Sequence, residues 1–596
     1  MDYTDEQKQA IDLAGQGRTM KVSALAGTGK TSTLVGIAQV MRGRGLYLAF
    51  NKGIATEAQQ RFQGTRCQAR TFHSLAYATH GKKYGDRLGM RINGLVVRKE
   101  FSLWDDEGDS VAAEALDTVH RFLRTPDEEM SDRHYRWMDD LEKEHPDRRE
   151  RYCRIRERAM PVAHKLYALM SSASGRFPSS HDVYLQQFVR SNPNLALDHD
   201  YLLFDEAQDA DRLMLHLCQQ QQIPVFWVGD QYQQIYGWRG AQNAMSQIQC
   251  AETFLTQSFR FGDAIADAAN RVLETLGTVT RLKGLPGKES SCRIGESGSA
   301  RAFIARTNTA VIDVVLPALE KGRRVGVAGR KGLLQMLDDF RSLCDGKPKG
   351  QFTHFATEQE LRAHGEEAMD IKAFLRIVDS VGLEKLDRAV RRCEDLDVDK
   401  DVWKRCDLIA LTGHKAKGLE FDSVRLADDF FQPKRLRSVD DETGVETIRK
   451  EELRLIYVAM TRARHELFLP DVDPKADIFG WFHRDRRAME VAVEVADGEI
   501  GATDIAGGPT TTSKKRRAAQ WESQHPEKVR QQTAARVKRY RERHPEKVKE
   551  RMKAYRQEHK AESRAYMREY RKDNEDLKAK HREYMRAWRA RQKASA

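Results

Sequence analysis

No run of 18 consecutive apolar residues occurs in the 596-residue sequence, so a membrane-spanning helix is not expected. The opening MDYTDEQKQA is acidic and polar, unlike a secretory signal, and the chain is expected to stay in the cytoplasm with no membrane partner. Cysteine is sparse: Cys67, Cys153, Cys218, Cys250, Cys292, Cys344, Cys393 and Cys406 are dispersed, with no CxxC pair. That pattern argues against zinc, an iron–sulfur cluster or a disulfide framework.

What is present is a globular composition, 40% apolar, with length for roughly three to five domains. The net charge of +12 is uneven. From Lys514 to the end, 28 Lys and Arg face 12 Asp and Glu, a surplus of 16, which leaves the first 513 residues at −4. Just before that tail, DGEIGATDIAGGPTTTS (497–513) has the composition of a flexible linker.

Short apolar strands alternate with helical patterns in two groups. The first is MKVSAL, GLYLAF, YLLFDE and PVFWVGD; the second is RAFIART, RRVGVAG, CDLIALTG and SVRLADD. Such alternation predicts α/β units with parallel sheets under helices. The expected division is a first unit of residues 1–90 and 186–258 with a helical insertion at 91–185. A second unit follows at 259–344 and 403–496, with a short insertion at 345–402.

Residues 22–41, VSALAGTGKTSTLVGIAQVM, pass from an apolar run through a glycine-containing turn into apolar residues at helical spacing. Gly29, Lys30 and Thr31 fit the phosphate-binding pattern GxxxxGK[ST], with Ala24 at its first position. Small residues there let backbone N–H groups turn around phosphate oxygens at a helix N-terminus, whose dipole favours anions. Lys30 is expected at the β- and γ-phosphates, and the Thr31 hydroxyl at Mg²⁺. In YLLFDEAQDA (201–210), Asp205 and Glu206 follow a buried strand at the end where open α/β sheets bind ligands. One carboxylate suits Mg²⁺ and the other the attacking water.

These blocks and those between them resemble, in order and spacing, the UvrD/Rep-type superfamily I DNA helicases over residues 3–470. DEQKQAI is similar to that family's Q motif, ALAGTGKT to its Walker A motif, AFNKGIATEA and TFHSLAY to motifs Ia and Ib, and DEAQD to motif II. VGDQYQQIYGWRGA is similar to motif III, LTQSFR to motif IV, LTGHKAKGLEF to motif V and YVAMTRAR to motif VI. The form of Ia and Ib, with HDVYLQQF, is nearest the F-box DNA helicase branch and its phage and bacterial relatives.

The resemblance implies two RecA-like P-loop domains closing on ATP and Mg²⁺. It places the nucleotide on Gln7 (adenine), the loop Ala24, Leu25, Ala26, Gly27, Thr28, Gly29, Lys30 and Thr31, the ring of Phe259, and Glu420 (ribose). Asp205 and Thr31 are then the Mg²⁺ residues, Glu206 acts on water, Gln233 lies near the γ-phosphate, and Arg260 and Arg462 are arginine fingers. His73, Tyr236, Trp238 and His414 are implied at single-stranded DNA. In motif Ia the family aromatic is displaced by one residue, so its stacking role is not carried to Phe50.

The expected activity is ATP-driven translocation on single-stranded DNA with 3′ to 5′ unwinding of tailed duplexes, in replication, repair or recombination. A recombinase or replication protein is the candidate protein partner. Two other readings stand beside it: a translocase that strips recombinase filaments with little unwinding, and a DNA-binding module with a vestigial ATPase.

In the tail, WESQHPEKV (521–529) and YRERHPEKV (540–548) repeat after 19 residues, with looser copies at Tyr555 and Tyr570. Aromatic residues recurring amid Arg and Lys predict short basic helices, and the charge surplus predicts a sequence-independent nucleic-acid tether. Removing residues 514–596 should leave ATPase turnover at saturating DNA nearly intact while weakening DNA binding and flattening its salt dependence. Equal salt slopes with and without the tail would reduce these repeats to a solvated charged segment.

Overall fold

The computed structural model describes residues 3–471 apart from 91, 136–148, 238–242, 296–299, 353–354, 356, 366–368, 397–401 and 440–445. Trp238, the expected linker and the basic tail lie outside the described residues. All described residues fall within one compact unit, Met1–Arg484.

Six strands form the first sheet: β1 (Met20–Ala24), β2 (Gly45–Ala49), β3 (Cys67–Thr71), β4 (Tyr201–Phe204), β5 (Val225–Gly229) and β6 (Ala251–Leu255). They are all parallel, in the order β3-β2-β4-β5-β1-β6. Every residue of β2, β4 and β5 is buried, which is why these strands read as unbroken apolar runs. The edge strands β3 (CQART) and β6 (AETFL) each show one side to solvent, and their polar residues hide them from a search for apolar runs.

Alternate residues of each strand serve opposite faces. Tyr47, Leu203 and Val228 pack with Ile11, Leu34 and Ile37 of helices Asp5–Ala14 and Lys30–Val40. On the other face, Leu46, Leu48, Leu202, Phe204 and Trp227 share a core with Val111, Ala115 and Leu166 of helices Gly108–Phe122 and Arg149–Ser171. The helices between 91 and 185 thus supply the second layer of the first sheet. Helix His181–Arg190 adds Val183, Leu185 and Phe188 to that core, so position 185 falls inside one helix.

The second sheet has seven strands: β7 (Ser291–Ile294), β8 (Ala302–Ala305), β9 (Val325–Val327), β10 (Glu394–Asp395), β11 (Leu408–Thr412), β12 (Phe421–Leu426) and, after a two-stranded antiparallel ribbon of β13 (Arg437–Val439) and β14 (Glu446–Ile448), β15 (Ala463–Leu469). Its order is β10-β9-β11-β8-β12-β15-β7, parallel throughout. Two parallel α/β sheets are the fold class expected from the sequence. Helices Arg330–Cys344, Met369–Val381 and Leu383–Arg392 gather Leu337, Phe340, Phe374 and Leu386 into a small core of their own. Among the described residues no helix is long and apolar enough to cross a membrane.

Phe204 is fully buried, its ring 5.0 Å from Phe72 and 5.3 Å from Trp227. Phe204→Ala should therefore lower stability by about 3–5 kcal/mol in denaturant unfolding. A loss below about 1 kcal/mol would mean that the insertion helices and the sheet do not share this core.

Candidate functional site

Strand β1 ends at Ala24, the chain turns through Gly27 and Gly29, and a helix begins at Lys30. Both glycines are left-handed, with φ of 75° and 79°. A Cβ on Gly27 would lie 2.5 Å from Ser258 Oγ and 2.8 Å from Arg260 Cβ; one on Gly29 would lie 2.8 Å from Gln7 Nε2 and 3.2 Å from the Phe259 ring. Torsion and close approach both demand glycine. The Thr28 hydroxyl donates to Leu25 O at 2.8 Å, and Thr31 is half-buried on the first helical turn. Leu25 and Ala26 pack into the core of the second sheet, beside Phe261 and Tyr457.

Gln7 is 2% exposed, and its amide is already engaged: Oε1 accepts from Thr4 N at 3.0 Å, and Nε2 donates to the Thr33 hydroxyl at 3.2 Å. It braces the loop from behind. The Phe259 N–H donates to Gly27 O at 2.8 Å, while its ring is 38% exposed. A half-open ring beside the loop is a surface on which a planar base can stack.

The acids stand at the end of β4. Asp205 is buried and accepts from the Tyr47 hydroxyl at 2.7 Å and from Glu206 N at 2.9 Å. Glu206 pairs with Lys30 Nζ at 3.1 Å. It also has φ 53°, a left-handed backbone unusual outside glycine, which costs about 1–3 kcal/mol where it occurs. Burial and the Glu206 charge raise the Asp205 pKa, while Lys30 and Tyr47 oppose the rise. Burial resists the charge on Glu206, but Lys30 and Lys417 outweigh it and hold its carboxyl below the usual range. Burial likewise opposes the Lys30 charge, yet Glu206, Asp205 and Asp230 raise its pKa overall.

Two arginines stand near these acids, Arg260 after β6 and Arg462 just before β15. Arg260 donates to Glu420 Oε1 at 2.6 Å and to Thr461 O at 2.8 Å, and its buried Nε has no hydrogen-bond partner. Glu420 is held on its other oxygen by Arg464 at 3.0 Å. Arg462 is 2% exposed and donates to Gln233 Oε1 at 3.1 Å and to Val458 O at 2.8 Å. Gln233 Nε2 in turn donates to Asp230 Oδ2 at 2.7 Å. Burial and the neighbouring Arg260 both disfavour the charge on Arg462. Because a guanidinium keeps its proton, the two together favour an incoming anion. The glycine cradle, the unpartnered Arg260 N–H and the carboxylate pair fit a nucleotide triphosphate with a divalent cation.

The residues expected at a polymer are more dispersed. The Tyr236 ring lies parallel to that of Phe50, with centroids 6.3 Å apart and planes at 6°, and Lys417 Nζ sits 5.1 Å from its centre. Phe50, set aside on sequence grounds, thus sits beside the motif III aromatic. His73 is bound to Asp182 at 3.0 Å and meets His181 and Tyr184 edge-on. His414 is half-buried in the short helix Gly413–Ala416 after β11. Trp238 is outside the described residues.

Sequence profiles match this chain twice: the UvrD/REP helicase N-terminal domain over residues 3–250, and the UvrD-like helicase C-terminal domain over residues 351–471. The chain belongs to the UvrD/Rep helicase family. F-box DNA helicase protein 1 of Schizosaccharomyces pombe is 28% identical over 526 residues, covering 79% of this chain and 58% of that protein. F-box DNA helicase 1 of Gallus gallus is 27% identical over 497 residues, covering 78% of this chain and 49% of that protein. A probable DNA helicase of Mycoplasma pneumoniae is 25% identical over 303 residues, or 49% of this chain and 46% of that protein. The chain spans about half the length of the curated relatives it matches.

In this UvrD/Rep chain, several residues of the cluster were not singled out by sequence reasoning. Asp209, Asp230, Lys417 and Tyr457 lie inside quoted motifs, where a neighbour drew the attention. Lys417 pairs with Asp209 and donates to Gln233 O at 2.8 Å, joining motif V to motifs II and III. Tyr47 carries no signal of its own, because the middle of GLYLAF reads as ordinary core.

Proposed function

We propose that the chain is an ATP-hydrolysing, single-stranded DNA translocase that unwinds tailed duplexes 3′ to 5′, acting in replication, repair or recombination. The observation that carries the ATPase part is the bond from Arg462, at the start of β15 in the second sheet, to Gln233 of the first, with Arg260 beside Gly27 of the glycine loop that leads to the Lys30–Glu206 pair. Family membership and relatives described as DNA helicases support DNA as the track; the polarity rests on resemblance to the UvrD/Rep helicases.

Phosphoryl transfer calls chiefly for positioning and charge neutralisation. Lys30 exchanges Glu206 for the β- and γ-phosphates, which frees the Glu206 carboxylate to take the proton of the attacking water. Gln233 orients that water, and Arg260 and Arg462 neutralise the charge that develops on the transferred group. Thr31 and Asp205 would hold Mg²⁺, which supplies further charge neutralisation on the phosphates. Gln7 and Phe259 border the adenine, and Glu420 takes the ribose. Because Arg462 leads into the second sheet and the phosphate loop follows β1 of the first, bound ATP holds the two units together and hydrolysis releases them. On the DNA side, Tyr236 and Trp238 stack on bases while His73 and His414 lie along the backbone.

Lys30→Ala and Glu206→Gln should each abolish DNA-stimulated ATP hydrolysis, with Glu206→Gln still binding nucleotide. Arg260→Ala or Arg462→Ala should each lower turnover on the order of 10³-fold or more. Losses under tenfold for both arginines would mean that the units do not close on ATP. Strand displacement on 3′- and 5′-tailed duplexes, run beside disruption of recombinase filaments, reads the polarity and separates unwinding from filament stripping.

Tyr236→Ala should weaken single-strand binding by roughly 1–3 kcal/mol, measured with fluorescent oligonucleotides, and leave nucleotide affinity unchanged. Unaltered DNA affinity would assign the Phe50–Tyr236 pair to packing alone.

A further inference from the structure

Helix Lys450–Met460 carries Tyr457 four residues before its C-cap Thr461, and Arg462 follows at once. Tyr457 is fully buried, so its hydroxyl has only protein groups as partners. It accepts from the backbone N–H of Ala26, in the phosphate loop, at 3.0 Å, and it donates to Asp230 Oδ2 at 3.3 Å. The same Asp230 oxygen takes Gln233 Nε2 at 2.7 Å, and Gln233 Oε1 takes Arg462 at 3.1 Å. The path closes on itself. From Ala26 it runs through Tyr457, Asp230 and Gln233 to Arg462, which the helix end joins back to Tyr457: Thr461 N donates to Tyr457 O at 3.1 Å, and Arg462 Nε to Val458 O at 2.8 Å.

The arrangement gives one hydroxyl contacts with two functional segments, on a helix that carries a third at its end. Ala26 belongs to the loop that faces phosphate, Asp230 opens the segment leading to Tyr236, and Arg462 is the arginine brought from the second sheet. Apolar packing of Leu25, Ala26 and Ile235 against Phe261, Tyr457 and Met460 surrounds this contact. Such packing holds the surfaces together but is non-directional and leaves their rotation and sliding unspecified. A hydrogen bond donated by a loop N–H to a buried hydroxyl specifies both, because its geometry tolerates little displacement.

We infer that Tyr457 is a positioning residue whose hydroxyl fixes the register between the phosphate loop and the helix bearing Arg462. The inference rests on the ATPase reading above and deepens it. Tyr457 itself touches no phosphate; it acts through Arg462 and Gln233. Without the hydroxyl, the Ala26 N–H and the Asp230 oxygen lose their common partner, Gln233 becomes free to turn, and Arg462 loses its orientation.

The test is a double-mutant cycle in the full chain, reading DNA-stimulated ATPase kinetics with an oligo-dT activator and binding of a fluorescent ATP analogue without DNA. Tyr457→Phe should lower kcat at least tenfold while changing KM and analogue affinity less than threefold. In an Arg462→Ala background the same substitution should change kcat by less than twofold, because residues acting through one group are not additive. A merely structural tyrosine would lower the melting temperature and multiply the two losses. Multiplied losses, or a Tyr457→Phe protein with wild-type kcat, would overturn the inference. If Tyr457→Phe fails to fold, the cycle is run with Asp230→Asn, which keeps the shape and weakens the acceptor, and the same criteria apply. A wild-type protein without DNA-stimulated turnover would instead overturn the ATPase reading, and this inference with it.

Discussion

Two guanidiniums, Arg260 and Arg462, sit close enough that Arg260 disfavours the charge on Arg462, which is almost wholly removed from water. Burying like charges together is costly unless acceptors surround them. Here Glu420, Gln233 and the carbonyls of Thr461 and Val458 each take one of their N–H groups, and one N–H of Arg260 has no acceptor. Much of the molecule serves to keep this arrangement in place. The first sheet brings up the glycine loop and the acids, the second sheet brings up Arg462 and the Glu420 and Thr461 that hold Arg260, and apolar residues around Tyr457 seal the seam.

The acids show the same balance from the other side. Asp205 and Glu206 are neighbours at the end of one strand, and burial alone would leave both protonated. Lys30 and Lys417 move Glu206 one way while the Glu206 charge helps move Asp205 the other, so the two carboxyls differ in proton affinity. The left-handed backbone at Glu206 is held by contacts to its own turn, with Asp209 N donating to Glu206 O at 2.9 Å.

The helical insertion of the first unit bears on function through packing. Its helices share a core with β2, β4 and β5, the strands that end at motif Ia, at Asp205 and at Asp230. Helix His181–Arg190 supplies Asp182 to His73, so the motif Ib segment is tied to the insertion by a hydrogen bond as well as by apolar contact. The insertion is thereby placed to feel changes at the ends of those strands.

Eight of the parallel strands could be named from the sequence: in β2, β4 and β5 burial on both faces writes an unbroken apolar run into the chain, while β1 and β12 alternate buried with more exposed positions. Edge strands β3, β6 and β7 could not, since an exposed side admits polar residues; nor could β15, whose ARHE opening is polar and partly exposed, and β10 is too short to leave a pattern. The sequence by itself determined the fold class, the family and the identity of the motif residues, because backbone torsion, strand burial and short-range spacing are local properties. The tertiary structure alone decided which partner each residue takes: Lys30 with Glu206, Phe50 against Tyr236, Lys417 with Asp209, and the Tyr457 hydroxyl between Ala26 and Asp230. Those pairs join residues 176 to 431 positions apart in most cases, and no local pattern encodes such a meeting. It arises only when distant strands assemble into one sheet, as for Lys30 with Glu206, or when the two sheets meet, as for Lys417 with Asp209 and Tyr457 with Ala26.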